Sequence, residues 1–201
     1  MKFYQIHVPK TGGSTLHTYS RQHKLNWISQ KHWYWSQRSI PNDSIVITSL
    51  RCPIRQTISM YSYWNNGGTT NPAKGTWQWW ALQVPFSEWI KKCRLSHDSP
   101  NSNLYVVFFG DVKNAGLDNV IGDFDTAVAH LKTVHHILDT THLTEQFNER
   151  VARKYKLPQL SLHTNKSPPL KITSDDMKHI RERRAKDFEL CKMFGIKSDY
   201  Y

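Results

Sequence analysis

A run of apolar, β-branched and aromatic residues, Phe3-Tyr-Gln-Ile-His-Val8, stops at Pro9-Lys10 and gives way to two glycines and a Ser-Thr pair. A buried strand that turns at glycines into a helix opens a βα unit, and such a unit feeds the next strand into a parallel sheet. Residues 45–50 (IVITSL) supply that next strand. Further strands are expected at 104–109 (LYVVFF) and 119–122 (NVIG), from short apolar runs bounded by turn residues. Helices are expected at 14–23, with Ser14 as N-cap, and at 53–64, with Pro53 in the first turn. Others follow at 86–94, 124–138 and 144–155. A Gly/Asn/Thr/Pro-rich loop spans 65–76, and a Pro-punctuated loop spans 158–170. Thr173 and Asp176 fit a capping box for a last helix that Gly195 stops. Its charged stretch KHIRERRAK reads as a solvated face, although Arg184 interrupts the apolar stripe. The fold class expected is α/β: a single domain over residues 1–201, with a central parallel sheet flanked by helices.

The bulk numbers narrow the partners. Net charge is +11, which favours anionic ligands: nucleotides, nucleic acid, acidic glycans or anionic lipid surfaces. Three widely spaced cysteines with no CxxC argue against a disulfide framework or a zinc site. No run of 18 apolar residues exists, so no transmembrane helix is expected. The first strand begins at Phe3 and leaves no room for a signal peptide. The expectation is a soluble or cytoplasmic chain.

The loop Pro9-Lys-Thr-Gly-Gly-Ser-Thr15 has the ingredients of an anion cup. A helix N-terminus offers unpaired N–H groups and partial positive charge, and glycines let a ligand approach the backbone. Thr11, Ser14 and Thr15 add hydroxyls and Lys10 a cation, around Gly12 and Gly13. The loop is not the P-loop G-x-x-x-x-G-K-[ST], because the lysine precedes the glycines, and it is not G-x-G-x-x-G.

The string H-V-P-K-T-G-G-S-T-L resembles the 5′-phosphosulfate loop of sulfotransferases that use 3′-phosphoadenosine 5′-phosphosulfate (PAPS). It is closest to the carbohydrate branch that includes the heparan sulfate 2-O-sulfotransferases. In that family a second strand ends in an arginine within R-[DN]-P-x-x-R-x-x-S-x-Y. Here Arg51-Cys-Pro-Ile-Arg-Gln-Thr-Ile-Ser59-Met-Tyr61 places Arg51, Pro53, Ser59 and Tyr61 in register. Cys52 and Gln56 depart from the pattern, with an arginine one place early at Arg55. VPFSEWIKK, DNVIGDFDTAVAHL, LHTNKSPP and DFELCKMFG are similar to later family segments. The resemblance implies a P-loop-like sulfotransferase fold. It also implies that Lys10 to Thr15 hold the 5′-phosphosulfate and that Arg51 and Ser59 hold the 3′-phosphate. Lys166 and Ser167 would lie in the loop that closes over the nucleotide.

In sulfuryl transfer, as in phosphoryl transfer, the attacking and leaving oxygens lie in line and charge builds on the leaving oxygen. Lys10 is the expected cation there. The expected base for the acceptor hydroxyl is His32 in SQKHWYWSQ, matching the interval where the family's 2-O-type branch carries its histidine. His7, His17 and His23 read as structural or surface residues, and Glu88 as an alternative base. No metal is expected. Trp33, Trp64, Trp77 and Trp80 are candidates for stacking on the acceptor, expected to be a carbohydrate hydroxyl. The expected partners are PAPS, its product 3′-phosphoadenosine 5′-phosphate (PAP) and a glycan. Alternatives are a lipid or small-molecule hydroxyl acceptor, a P-loop nucleotide kinase, a sulfotransferase fold without activity, and a basic nucleotide- or nucleic-acid-binding module.

Overall fold

The structure, a computed structural model, describes residues 1–31, 35, 39–68, 71–93, 99–115, 119–161 and 170–197, with the backbone alone at 30, 31, 112–115 and 119–121. Strand β1 (Lys2–His7) leads into α1 (Gly13–Gln22), and β2 (Trp27–Lys31) returns parallel beside it. Strand β3 (Ser44–Leu50) pairs with the other side of β1 and leads into α2 (Pro53–Asn65). Helices α3 (Trp77–Ala81), α4 (Phe86–Lys92) and α5 (Leu104–Phe109) follow. Strands β4 (Val112–Ala115) and β5 (Asn119–Gly122) form a separate antiparallel pair. Helix α6 (Phe124–Thr133) leads to β6 (His136–Asp139), the fourth parallel strand, alongside β3. A 3-10 turn (Thr140–His142), α7 (Leu143–Phe147), a π-helical turn (Asn148–Ala152) and α8 (Arg153–Tyr155) form one continuous helical stretch. Helices α9 (Ser174–Arg183) and α10 (Ala185–Met193) close the chain.

The fold class is the expected one: α/β, with an all-parallel four-stranded sheet, ordered β2-β1-β3-β6, flanked by helices. Alternation along the strands gives the sheet two apolar faces. Phe3 and Ile47 pack with Leu16 and Tyr19 of α1 and Phe147 of α7. Tyr4, Ile6, Val46 and Leu50 face α2, α5, α6 and the C-terminal helices. Each fully buried Leu, Ile or Phe adds roughly 1.5–3 kcal/mol of transfer free energy. The order reverses at β1, whose neighbours β2 and β3 lie on opposite sides, so the carboxyl ends of β1 and β3 bound the crevice where such sheets take ligands.

Several expectations change. LYVVFF is helix α5, not a strand. All six side chains are buried, and a run buried all round carries no period to separate helix from strand. The Asp187 carboxylate accepts from the N–H groups of Tyr105 and Val106 at 2.9 and 3.2 Å, satisfying two orphan donors of the first turn. The 119–122 segment is a strand, but it lies outside the parallel sheet. The helix expected over 124–138 stops at Thr133, because 136–139 is needed as β6. There His135 Nδ1 accepts from the N–H of Val46 at 3.1 Å. Strand β2 falls where no strand was expected. Ser14 is exposed and caps nothing; Gly12 is the N-cap, at φ 81°.

The last helix is two helices broken at Arg184. The Thr173–Asp176 capping box holds, with both reciprocal bonds formed. Arg184 is not on a solvated face: it is 0% exposed and bonds the buried Asp187 through Nε at 3.1 Å and Nη2 at 2.6 Å. Burial pushes the Asp187 carboxyl above its ordinary value, while Arg184 and the α5 N–H groups pull it back. Among the described residues no helix is long and apolar enough to cross a membrane.

Removing one partner of such a pair leaves the other as a bare buried charge. Asp187→Ala is therefore expected to cost about 3–5 kcal/mol of unfolding free energy in urea titrations. A loss under about 1 kcal/mol, the range of surface ion pairs, would contradict the role given to this pair.

Candidate anion site at the carboxyl edge of the sheet

The glycine loop leaves β1 at the crevice and is held from outside by its carbonyls. The Pro9 carbonyl accepts from Gln56 Nε2 of α2 at 2.6 Å. The Lys10 carbonyl accepts from Arg51 Nη1 at 3.3 Å. The Thr11 carbonyl accepts from Ser49 Oγ of β3 at 2.5 Å and from Thr140 Oγ1, just past β6, at 2.9 Å. The described peptide bonds are all trans, and a trans peptide points its N–H opposite its carbonyl. Three clamped carbonyls thus turn the N–H groups of Lys10, Thr11 and Gly12 the other way. Among the described residues, none accepts a hydrogen bond from the N–H groups of Lys10, Thr11, Gly12, Gly13 or Ser14. Consecutive N–H groups without an acceptor at the start of a helix are the element from which anion-binding concavities are built.

Two glycines are required for steric reasons. Gly12 lies in the left-handed region, and a Cβ there would approach Leu143 Cδ2 to 2.8 Å. At Gly13 a Cβ would stand 2.1 Å from His7 Cδ2, because the His7 ring lies against that glycine. Thr11 has no hydroxyl to offer a ligand: it is fully buried and donates to the Val8 carbonyl at 2.9 Å. Its contribution is its N–H. Thr15 is also buried, and only Ser14 carries an exposed hydroxyl in the loop.

Lys10 and Arg51 stand together, both half-buried. The Lys10 ammonium lies 4.1 Å from the centre of the Tyr63 ring, and neither cation has a salt-bridge partner among the described residues. Burial, and then the Arg51 charge, pull the Lys10 pKa below the ordinary lysine value. Burial also lowers that of Arg51. Two like charges held this way, beside five N–H groups, have no carboxylate at salt-bridge distance among the described residues, and Asp139 acts on Arg51 only as the weakest of its charge influences. Arg51 is fixed through its backbone: Tyr105 Oη bonds both its N–H, at 3.0 Å, and its carbonyl, at 2.6 Å. Ser59 is nearly buried, two turns into α2.

Of the other expected site residues, His32, Trp33, Lys166 and Ser167 lie outside the described residues. Trp64 and Trp77 meet edge-on at 6.2 Å, Trp64 meets Tyr63 at 5.3 Å, and Trp77 meets buried Trp89 at 6.2 Å. An aromatic ladder thus runs from the core to the ring under Lys10. Trp80 sits under Lys92 Nζ at 4.5 Å. Glu88, the alternative base, is exposed and paired with Lys92 at 3.3 Å on α4. Gln56, Tyr63, Thr140 and Arg184 carry much of this geometry and were not legible as site residues. The departure at position 56 signalled one of them, and the interruption of the apolar stripe at Arg184, which pointed to a polar site, signalled another.

Compared with models of known protein families and with curated proteins, the chain matches none.

An anion in the concavity favours the charged form of Lys10. Where pH exceeds the lowered Lys10 pKa, binding must therefore take up a proton. Calorimetric titration with sulfate across the alkaline range is expected to give net uptake once pH exceeds that pKa, absent in Lys10→Met, with affinity falling as pH rises through it. Proton release would contradict the placement. Gly12→Ala is expected to cost about 1–3 kcal/mol of stability, read by urea unfolding, with anion binding lost as well.

Proposed function

We propose that the chain is a PAPS-dependent O-sulfotransferase that moves a sulfuryl group to a hydroxyl, with a carbohydrate as acceptor. The observation that carries this reading is the pair Lys10 and Arg51, without a salt-bridge partner among the described residues, at the switch point of the sheet and beside five N–H groups that no described residue accepts from. A cation at the loop and another at the end of the next strand suit a donor with two anionic groups, such as a 3′,5′-bisphosphorylated nucleotide. The motifs around Lys10 and Arg51 and their resemblance to the sulfotransferase loops support the same donor.

In this reading the loop N–H groups hold the 5′-phosphosulfate, and Arg51 with Ser59 holds the 3′-phosphate. The bond between sulfur and the phosphate bridge oxygen breaks as a bond forms between sulfur and the acceptor oxygen. Lys10 neutralises the departing oxygen, where charge is greatest in the transition state. His32 takes the acceptor proton. Trp64, Trp77 and Trp80 offer rings on which a sugar can stack.

The expected result is that PAP raises the melting temperature, while ATP with magnesium does so far less. Transfer of radiolabelled sulfate from PAPS to a panel of glycans, lipids and phenols is expected to favour a glycan. Lys10→Ala is expected to lower turnover by about 100-fold or more. A chain that neither binds PAP nor transfers sulfate, yet binds oligonucleotides with a steep salt dependence, would be a nucleic-acid module instead.

A further inference from the structure

We propose that Gln56, held by Arg184, is the positioning residue for Lys10, setting the backbone that aims its ammonium into the site. Lys10 sits at φ 60°, a left-handed conformation that a lysine does not choose unaided. Something must hold the preceding peptide, and the group that does so is Gln56 Nε2, on the Pro9 carbonyl at 2.6 Å. The other end of the same amide accepts from Arg184 Nη2 at 2.6 Å. The amide has a single possible orientation, because a guanidinium has nothing to accept with and a carbonyl nothing to donate.

Arg184 cannot turn away. Its five N–H bonds are spent: two on Asp187, one on the Pro53 carbonyl at 3.1 Å, one on Thr57 Oγ1 at 3.1 Å and one on Gln56. It is wholly buried. Gln56 stands where the resembling family carries an arginine. Here the guanidinium comes instead from the break between α9 and α10, and the glutamine converts it into a donor that reaches the loop. The glutamine is therefore a relay from a fixed buried cation to the peptide plane that precedes Lys10, while Arg51 holds the plane that follows it.

The test is Gln56→Glu. A carboxylate of the same shape still accepts from Arg184 but, when ionised, cannot donate to Pro9. The first readout is site-resolved acylation of Lys10 against pH, by mass spectrometry, with the exposed Lys24 and Lys132 as internal controls. The Lys10 rate relative to those controls is expected to change about threefold or more. This readout does not depend on the sulfotransferase reading, and the uncharged Gln56→Asn, labelled beside it, separates loss of the Pro9 bond from the effect of the added charge. The second readout rests on the sulfotransferase reading: kcat is expected to fall about 10- to 100-fold with KM for PAPS little changed, because Lys10 acts mainly in the transition state. If transfer is absent even in the unaltered protein, that reading fails while the labelling still decides the proposal. An unchanged relative Lys10 rate in a folded Gln56→Glu protein overturns it. Should that variant not fold, Gln56→Asn, one methylene too short to span Arg184 and Pro9, replaces it with the same expected and overturning results.

Discussion

The ion pair of Arg184 and Asp187 is the interaction on which the site's geometry depends. Taking both charges out of water is costly, and an apolar pair of similar volume often serves stability as well. Such a replacement here would leave too much unpaired. The Asp187 carboxylate closes the N-terminus of α5. The Arg184 guanidinium closes the Pro53 carbonyl and engages Thr57 and Gln56 on α2. Every one of these partners is buried, so each orphaned group would carry its own desolvation penalty. The pair lies where α2, α5 and α10 meet, and its geometry fixes all three together.

Both cations of the crevice descend from that junction by separate routes. One runs from Arg184 through Gln56 to the Pro9 carbonyl and so to Lys10. The other runs from Asp187 to the first turn of α5, where the Tyr105 hydroxyl grips the backbone of Arg51 on both sides. The glycines permit the shape of the loop, but they do not impose it. Imposition comes from side chains at the ends of β3 and β6 and from α2, each taking one carbonyl and leaving the N–H groups outward.

What was legible in the sequence was local. The strand–glycine–helix opening, β3 with Arg51 at its end, Pro53 at the start of α2 and the Thr173 capping box each depend on neighbours within a few residues. What escaped depends on distant partners. Residues 104–109 carry strand propensity, and only a carboxylate 82 positions from Tyr105 makes them a helix. The segment HILD is too short to announce a strand until β3 offers an edge. Arg184 interrupts the apolar stripe within the charged KHIRERRAK, which hinted at a polar site, but its partners Pro53, Thr57 and Gln56 lie 131, 127 and 128 positions away. Gln56 read as a lost arginine, because a relay is invisible unless both ends are known. His32, Trp33, Lys166 and Ser167 lie outside the described residues, and the sequence remains the sole basis for them.

The resting partner of Lys10 follows from the same constraint. Its backbone is fixed, so its ammonium can reach few places, and the one it occupies is the face of Tyr63. A ring face attracts a cation by its quadrupole, roughly 0.5–2 kcal/mol at such a distance, depending on hydration. That is less than two charge-assisted bonds to an anion would supply, but enough to hold an unmatched charge beside Arg51. Tyr63 is in turn braced by Trp64, and through Trp77 by the buried Trp89. The two cations stand oriented and their like charges repel; the Lys10 pKa is lowered first by burial and then by that repulsion. Under the proposed sulfotransferase reading this is electrostatic preorganisation, since the cost of assembling the charges is met in folding.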